Sequence, residues 1–138
     1  DGQGKLNAYL EDYACLIDGL LALHRTTGQA KWIEAADKIQ QKQNELFWDE
    51  PRGGYFYTSG DHETLLARTK KQVDGAMPSG NSVAAGNLLY LADRLERPEY
   101  HEQARQCVIA ASTLIERVPT AAPRLLITAG ELSSDREE

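Results

Sequence analysis

The chain has 138 residues, a single-domain length, and 41% of them are hydrophobic, which is enough to build a core. A formal net charge of −6 argues against a surface that gathers phosphate backbones or anionic lipid, so neither nucleic acid nor a membrane is an expected partner. No run approaches the roughly 18 apolar residues of a membrane span, and the amino terminus has no basic stretch leading into an apolar one, so a cytoplasmic protein is expected.

From Asn7 to Thr27 the apolar residues recur at helical spacing but spread beyond one stripe: Tyr9, Leu10, Tyr13, Ala14, Leu16, Ile17, Leu20, Leu21 and Leu23. Such a helix is expected to be covered on most sides. Gly28 stops it. A second helix from about Ala30 to Trp48 is amphipathic, with Trp32, Ile33, Ala36, Ile39, Leu46 and Phe47 inward and Asp37, Lys38, Gln41 and Lys42 toward solvent.

Residues 53–70 read as a small β insertion. Tyr55-Phe56-Tyr57-Thr58 is aromatic and β-prone, turn residues follow, and Leu65-Leu66-Ala67-Arg68-Thr69 is the expected return strand of a hairpin. Pro78 and Gly80 then break the chain, and Ser79 or Asn81 can cap a third helix running to about Leu95. A fourth opens at Pro98 and continues to about Arg117, with Tyr100, Ala104, Cys107, Val108, Leu114 and Ile115 inward. A fifth, 120–132, opens at Thr120 and Pro123, before a polar tail expected to fray.

Sliding the chain by 68 positions aligns Leu20 with Leu88, Leu21 with Leu89, Leu23 with Leu91, Trp32 with Tyr100 and Ala36 with Ala104. Residues 7–48 and 81–117 are therefore two versions of one helical hairpin. The spacing is twice the ~34-residue tetratricopeptide period, but these helices are longer, the Trp-x-x-Leu-Gly pattern is missing, and much of the period is non-helical. The expected fold is all-α, a curved double layer of antiparallel hairpins with the greasier helices inside.

Candidate chemistry gathers near the helix starts. Asp74, Ser79, Asn81 and Ser82 crowd polar groups at a helix amino terminus that can receive anions or sugar hydroxyls, or can simply be capped by them. Glu11 and Asp12 open the first helix, where they complement its positive end; Asp12 with Asp74 is the candidate acid–base pair if the chain handles sugars. Asp18 is one heptad beyond Glu11, and a carboxylate on a crowded helix must be paired or face a wet cavity. Cys15 and Cys107 fall within helical patterns and read as buried thiols, consistent with a reducing compartment. His24, His62 and His101 form no ligand spacing, so no metal is expected, and without a P-loop, dinucleotide fingerprint or nucleophile elbow no cofactor is expected.

Tyr9-Leu10-Glu11-Asp12-Tyr13-Ala14, Leu16-Ile17-Asp18-Gly19-Leu20-Leu21, Gly53-Gly54-Tyr55-Phe56-Tyr57-Thr58 and Asp74-Gly75-Ala76-Met77-Pro78-Ser79-Gly80-Asn81-Ser82 together resemble the YyaL-type, spermatogenesis-associated thioredoxin-domain proteins. That family joins a thioredoxin-like domain to a helical toroid of the six-hairpin glycosidase type, related in fold to N-acylglucosamine 2-epimerases. The resemblance implies a late segment of the toroid, with the rest of the ring and the thioredoxin-like domain as its partners. It also implies a carbohydrate ligand, with Asp12 and Asp74 as catalytic candidates and Glu11, Tyr55, Tyr57, Arg68, Ser79 and Asn81 lining one end of the ring. Fold is a poor guide to chemistry, and a second expectation stands beside this one. In a non-catalytic scaffold the same residues would be spent on capping and buried pairing, and the first or third helix would expose an apolar docking face; separately, if the chain is only a piece of a ring, it should self-associate or leave an open hydrophobic side.

Overall fold

The computed structural model describes residues 8–57 and 79–135, which form six α-helices and one 3-10 turn. These are α1 (Leu10–Thr27), α2 (Ala30–Phe47), α3 (Gly80–Leu95), α4 (Pro98–Ala110), α5 (Ser112–Arg117) and α6 (Pro123–Ser134), with the 3-10 turn at Pro119–Ala121. The chain is all-α, and α1–α2 and α3–α4 are the two hairpins that the repeat predicts.

The two units stop their first helices at the same place in the repeat. Gly28 takes up a left-handed conformation (φ 68°) and donates its N–H to the His24 carbonyl at 2.8 Å, closing α1. Glu96, 68 positions later, adopts φ 53° and donates to the Ala92 carbonyl, closing α3. A side chain there costs roughly 1–2 kcal/mol relative to glycine, so the tight link between α3 and α4 is imposed by packing rather than by local preference. α2 begins at Ala30 and α4 at Pro98, again 68 apart, with the proline in the first turn where its missing N–H costs nothing.

One layer is the row α1, α3, α6; α2 backs α1 and α4 backs α3. Packed by α1, α4 and α6 together, α3 buries Val83, Ala84, Ala85, Leu88, Leu89, Leu91 and Ala92. Leu10, Ala14, Ile17 and Leu21 of α1 join that core, while Leu20 is half-buried. Covering on most sides, expected of both greasy helices, holds for α3 and fails for α1: Cys15, Leu16, Gly19, Ala22 and Leu23 face outward. Cys15 is accordingly exposed, not buried; Cys107 is buried as expected.

Three further expectations are corrected. The fourth helix does not run unbroken to Arg117, because Ala111 (φ −98°, ψ 4°) leaves the helical region and its N–H turns back to the Val108 carbonyl at 3.2 Å. The fifth begins at Pro123 after the 3-10 turn and extends to Ser134, two residues beyond the expected end. The β-hairpin is not seen: among the described residues there is no strand, only a single antiparallel bridge between Trp48 and Tyr55. Gly53 (φ 76°) and Gly54 (φ 78°) fold the chain straight back onto Trp48, conformations that only glycine takes without strain. At Gly53 a Cβ would also stand 2.9 Å from the Gln106 Cβ. The expected return strand, including Arg68, lies outside the described residues, as does Asp74.

Candidate functional site

The amino-terminal ends of α1 and α3 and the segment 48–57 meet at one end of the array. Leu10 donates its N–H to the Tyr57 carbonyl at 3.1 Å, and the Tyr9 and Tyr57 rings stack with centroids 4.9 Å apart. Gly80, the first residue of α3, lies so close to α1 that a Cβ would approach Leu10 Cδ2 to 2.9 Å and Glu11 Cγ to 3.2 Å. Glycine therefore sets the separation of the two helix starts, bringing Glu11 beside the amino terminus of α3.

Of the sequence candidates, Glu11, Asp12, Tyr55, Tyr57, Ser79 and Asn81 are thus drawn to one end, but most of their polar atoms are used within the fold. Asp12 Oδ2 accepts the Tyr9 N–H at 2.8 Å, satisfying a donor at the start of α1. Ser79 Oγ accepts the Ser82 N–H at 3.2 Å, an N-cap on α3. Asn81 is buried and its amide reads both backbone groups of Tyr55: Oδ1 accepts the Tyr55 N–H and Nδ2 donates to the Tyr55 carbonyl, each at 2.8 Å. Among the described residues, a side-chain amide 26 residues on thus serves the backbone groups of Tyr55 that point away from Trp48, as a neighbouring strand would. The Tyr55 ring is fully enclosed, its hydroxyl donating to Asn44 Oδ1 at 2.5 Å and accepting from Gln40 Nε2 at 3.0 Å.

A second concavity was not singled out from the sequence. Between α1, α3 and α6 is an open groove of about 890 Å³ whose lining includes Asp18, Arg25, Asn87, Tyr90, Arg124 and Thr128. Asp18, which had to be paired or face a cavity, does both: Arg124 donates to its Oδ1 at 3.0 Å at the edge of the groove. Asn87 donates Nδ2 to the Ala14 carbonyl at 2.9 Å and leaves its buried Oδ1 without a protein partner. Tyr90 hydrogen-bonds His24 Nδ1 at 2.9 Å and carries the Arg25 guanidinium 4.5 Å above its ring. Only Asp18 of these carried a sequence signal, because the others acquire their roles through helices that are distant in the chain. Among the described residues no group of three or more acidic, cysteine or histidine side chains could hold a metal ion, and no helix is long and apolar enough to cross a membrane.

The Cys15 thiol is held above its ordinary value by partial burial and then by the nearby Asp18 and Glu11 carboxylates, the opposite of what an activated nucleophile needs. Burial raises the Tyr55 hydroxyl well above the usual tyrosine range; burial, followed by the hydrogen bond to Asp37, raises that of Tyr100. Above the unfolded tyrosine pKa of about 10 the unfolded chain loses these two protons while the native chain keeps them. Stability is therefore expected to be full below pH ~10 and to fall as pH rises, approaching about 1.4 kcal/mol per pH unit for each tyrosine. Urea unfolding from pH 9 to 11.5 measures the slope; Tyr100→Phe should roughly halve it, whatever it does to the baseline.

Fold and site together define a class, an all-α array of repeated hairpins with polar groups concentrated at the inner-helix starts. Across 119 residues, 86% of this chain, it is 39% identical to spermatogenesis-associated protein 20 of Rattus norvegicus and 38% identical to that of Homo sapiens. Across 126 residues, 91% of the chain, it is 36% identical to an uncharacterized protein of Caenorhabditis elegans. The chain belongs to the spermatogenesis-associated protein 20 family, the thioredoxin-domain family its motifs resemble. It spans only 15–17% of the length of these curated relatives. No family model matches it.

Proposed function

We propose that this chain is a wall segment of a longer helical ring in a thioredoxin-domain protein, and that its own role is scaffolding rather than catalysis. The observation that carries this reading is the commitment of the candidate polar groups: Asp12 and Ser79 cap helices, and Asn81 and Tyr55 are locked together inside the fold. A general acid or base must be able to reach a substrate proton, and a buried or capping group does not do so without unmaking the fold. Binding of a panel of sugars and glycans to the full-length parent, by calorimetry, tests the proposal. Asp12→Asn and Asp74→Asn should leave any affinity and turnover unchanged; a drop of about tenfold or more in either would overturn it.

A second reading is favoured by the groove between α1, α3 and α6. In this reading a carbohydrate contact lies there rather than at the helix starts; what supports it is that the Asp18–Arg124 pair and the unsatisfied Asn87 carbonyl offer donors and acceptors together, as polyhydroxylated ligands need. In the same titrations, sensitivity to Asp18→Asn or Arg124→Gln with indifference to Asp12→Asn would select this reading.

A further inference from the structure

We infer that the groove between α1, α3 and α6 is a site for a protonated amine, with Asn87 Oδ1 receiving a donor at its floor and the carboxylates of Asp93 and Glu131 holding the positive charge toward one end. This rests on the groove reading for the place of the ligand and adds the chemical class of the ligand.

The three helices run the same way, and that sets the local field. Along α1 and α3 the contacts keep their order: Gly80 abuts Leu10, Asn87 bonds the Ala14 carbonyl and Tyr90 reaches His24. Along α3 and α6, a Cβ built on Gly86 stands 3.8 Å from Thr128 Oγ1. Farther on, His101, in the first turn of α4 just beyond the end of α3, meets Asp135 at the end of α6 at 3.4 Å. One end of the groove is therefore the meeting place of three helix carboxy termini, whose unsatisfied carbonyls make it negative.

Such an end calls for positive charge, and two of the helices supply it. α1 carries His24 and Arg25 in its last turn and α3 carries Arg94, but α6 has no basic residue there. In its last turn stands Glu131, and Asp135 is its C-cap, the sign that a carboxy terminus disfavours. The lining as a whole sets four carboxylates against two guanidinium groups. Asp18 is paired with Arg124, Asp135 meets His101, and Arg25 lies over the Tyr90 ring. Asp93 and Glu131 pair with no described residue.

The floor makes an independent demand. Asn87 donates Nδ2 to a backbone carbonyl, which fixes the orientation of its amide and leaves Oδ1 an acceptor only. The residue is 1% exposed, and that oxygen has no protein partner. An ammonium group carries three donors and no acceptor, so it suits Asn87 and the carboxylates alike, whereas an anion would face acceptors at both. A neutral hydroxyl meets the first need and not the second. Asn87 and Asp93 are six residues apart on α3, about 9 Å along the axis. A linear polyamine spans this distance with a second ammonium, and an amino sugar with a hydroxyl at Asn87; the protonated amine is common to both.

Calorimetric titration of the full-length parent with spermidine and with glucosamine, beside the neutral glucose and N-acetylglucosamine, tests the inference. At least one amine should bind about tenfold or more tightly than either neutral sugar, with an affinity that falls as salt is raised. Binding of spermidine alone marks a linear polyamine as the ligand and of glucosamine alone an amino sugar; either supports the inference. Asp93→Asn combined with Glu131→Gln changes only exposed positions and should lower the amine affinity about tenfold. Glu131→Lys supplies an ammonium at the end of α6 from the chain itself and should weaken amine binding further, an unchanged or raised melting temperature showing the fold intact. Neutral sugars binding as tightly as the amines, no amine binding at millimolar concentration, or amine binding indifferent to both variants overturns the inference. In the first of these cases the groove remains a carbohydrate site and only the charge assignment fails. No outcome depends on Asp12 or Asp74, so the scaffolding role is decided separately.

Discussion

Asn81→Ala is expected to lower the stability of the chain by about 3 kcal/mol, the cost of leaving two buried backbone groups without partners. Asn81 holds both the N–H and the carbonyl of Tyr55 at 2.8 Å, and both residues are buried, so no water is at hand to replace the lost amide. For a domain of this size the loss corresponds to a fall of about 10 °C in melting temperature. Asn81→Asp separates the two bonds. Its carboxylate still accepts the Tyr55 N–H but turns an oxygen toward the Tyr55 carbonyl, so the folded state favours the protonated acid and its pKa is raised. The stability this acid supplies is then present below the unfolded aspartate value of about 3.9 and lost as pH rises through the higher folded value. Thermal melts of the aspartate variant should therefore approach wild type at low pH, relative to wild type measured at the same pH, and fall away toward neutrality. Ser79→Ala, which removes the N-cap of α3 and the 2.9 Å hydrogen bond from Ser79 Oγ to Ser82 Oγ, is the comparison, with an expected loss of about 1–2 kcal/mol. If Asn81→Ala costs no more than Ser79→Ala, the amide does not clamp Tyr55 as described.

The two-hairpin plan was legible because it is written twice: the shift of 68 aligns apolar positions within each helix, and the boundaries at Gly28 and Glu96 obey it. What escaped was whatever depends on a partner far along the chain. Tyr55-Phe56-Tyr57 has strand composition, but the group that satisfies Tyr55 is a side chain on α3, and no local propensity encodes that. Asp37 was assigned to the solvated face of α2 because charge usually marks that face; it is buried, since Arg97 and Tyr100 of the other hairpin come to meet it. Cys15 reads as buried because it falls within a helical pattern, but it lies on the outward stripe of α1 with Leu16 and Gly19 and is exposed. The candidate site was legible as a place more than as a chemistry. Glu11, Asp12, Ser79 and Asn81 do gather where the inner helices start, but helix starts attract such residues for capping alone, and composition cannot tell a cap from a ligand.

Asp37→Ala is expected to cost about 3 kcal/mol and, more informatively, to loosen one hairpin from the other. The backing helices α2 and α4 are joined by side-chain bridges, of which two are clear. At the first, Asp37 Oδ1 accepts the Tyr100 hydroxyl at 2.5 Å, and Oδ2 pairs with Arg97 at 3.0 Å and accepts from Gln41 at 3.0 Å. One heptad on, Asn44 donates to Gln103 at 3.0 Å. Removing the Asp37 carboxylate strands the buried Tyr100 hydroxyl, while the one-third-exposed Arg97 can turn to water, so the tyrosine carries most of the penalty. A double-mutant cycle with Tyr100→Phe should accordingly return a coupling of about 1–2 kcal/mol. In a repeat array stability is the sum of unit terms and interface terms, and cooperativity resides in the interfaces. Weakening the outer tie removes one interface term and leaves the α1–α3 contact, the Asn81–Tyr55 bonds and the Asn44–Gln103 bond to couple the units, so the hairpins should unfold less cooperatively. The chain reports on this by itself, because both of its tryptophans, Trp32 and Trp48, belong to the first hairpin. In the native protein, urea transitions followed by tryptophan fluorescence and by helical circular dichroism should coincide. In Asp37→Ala the two midpoints should part and the dichroism transition should broaden. Coincident transitions in the variant, at an unchanged midpoint, would mean that the bridge at Asp37 contributes nothing to the union of the hairpins.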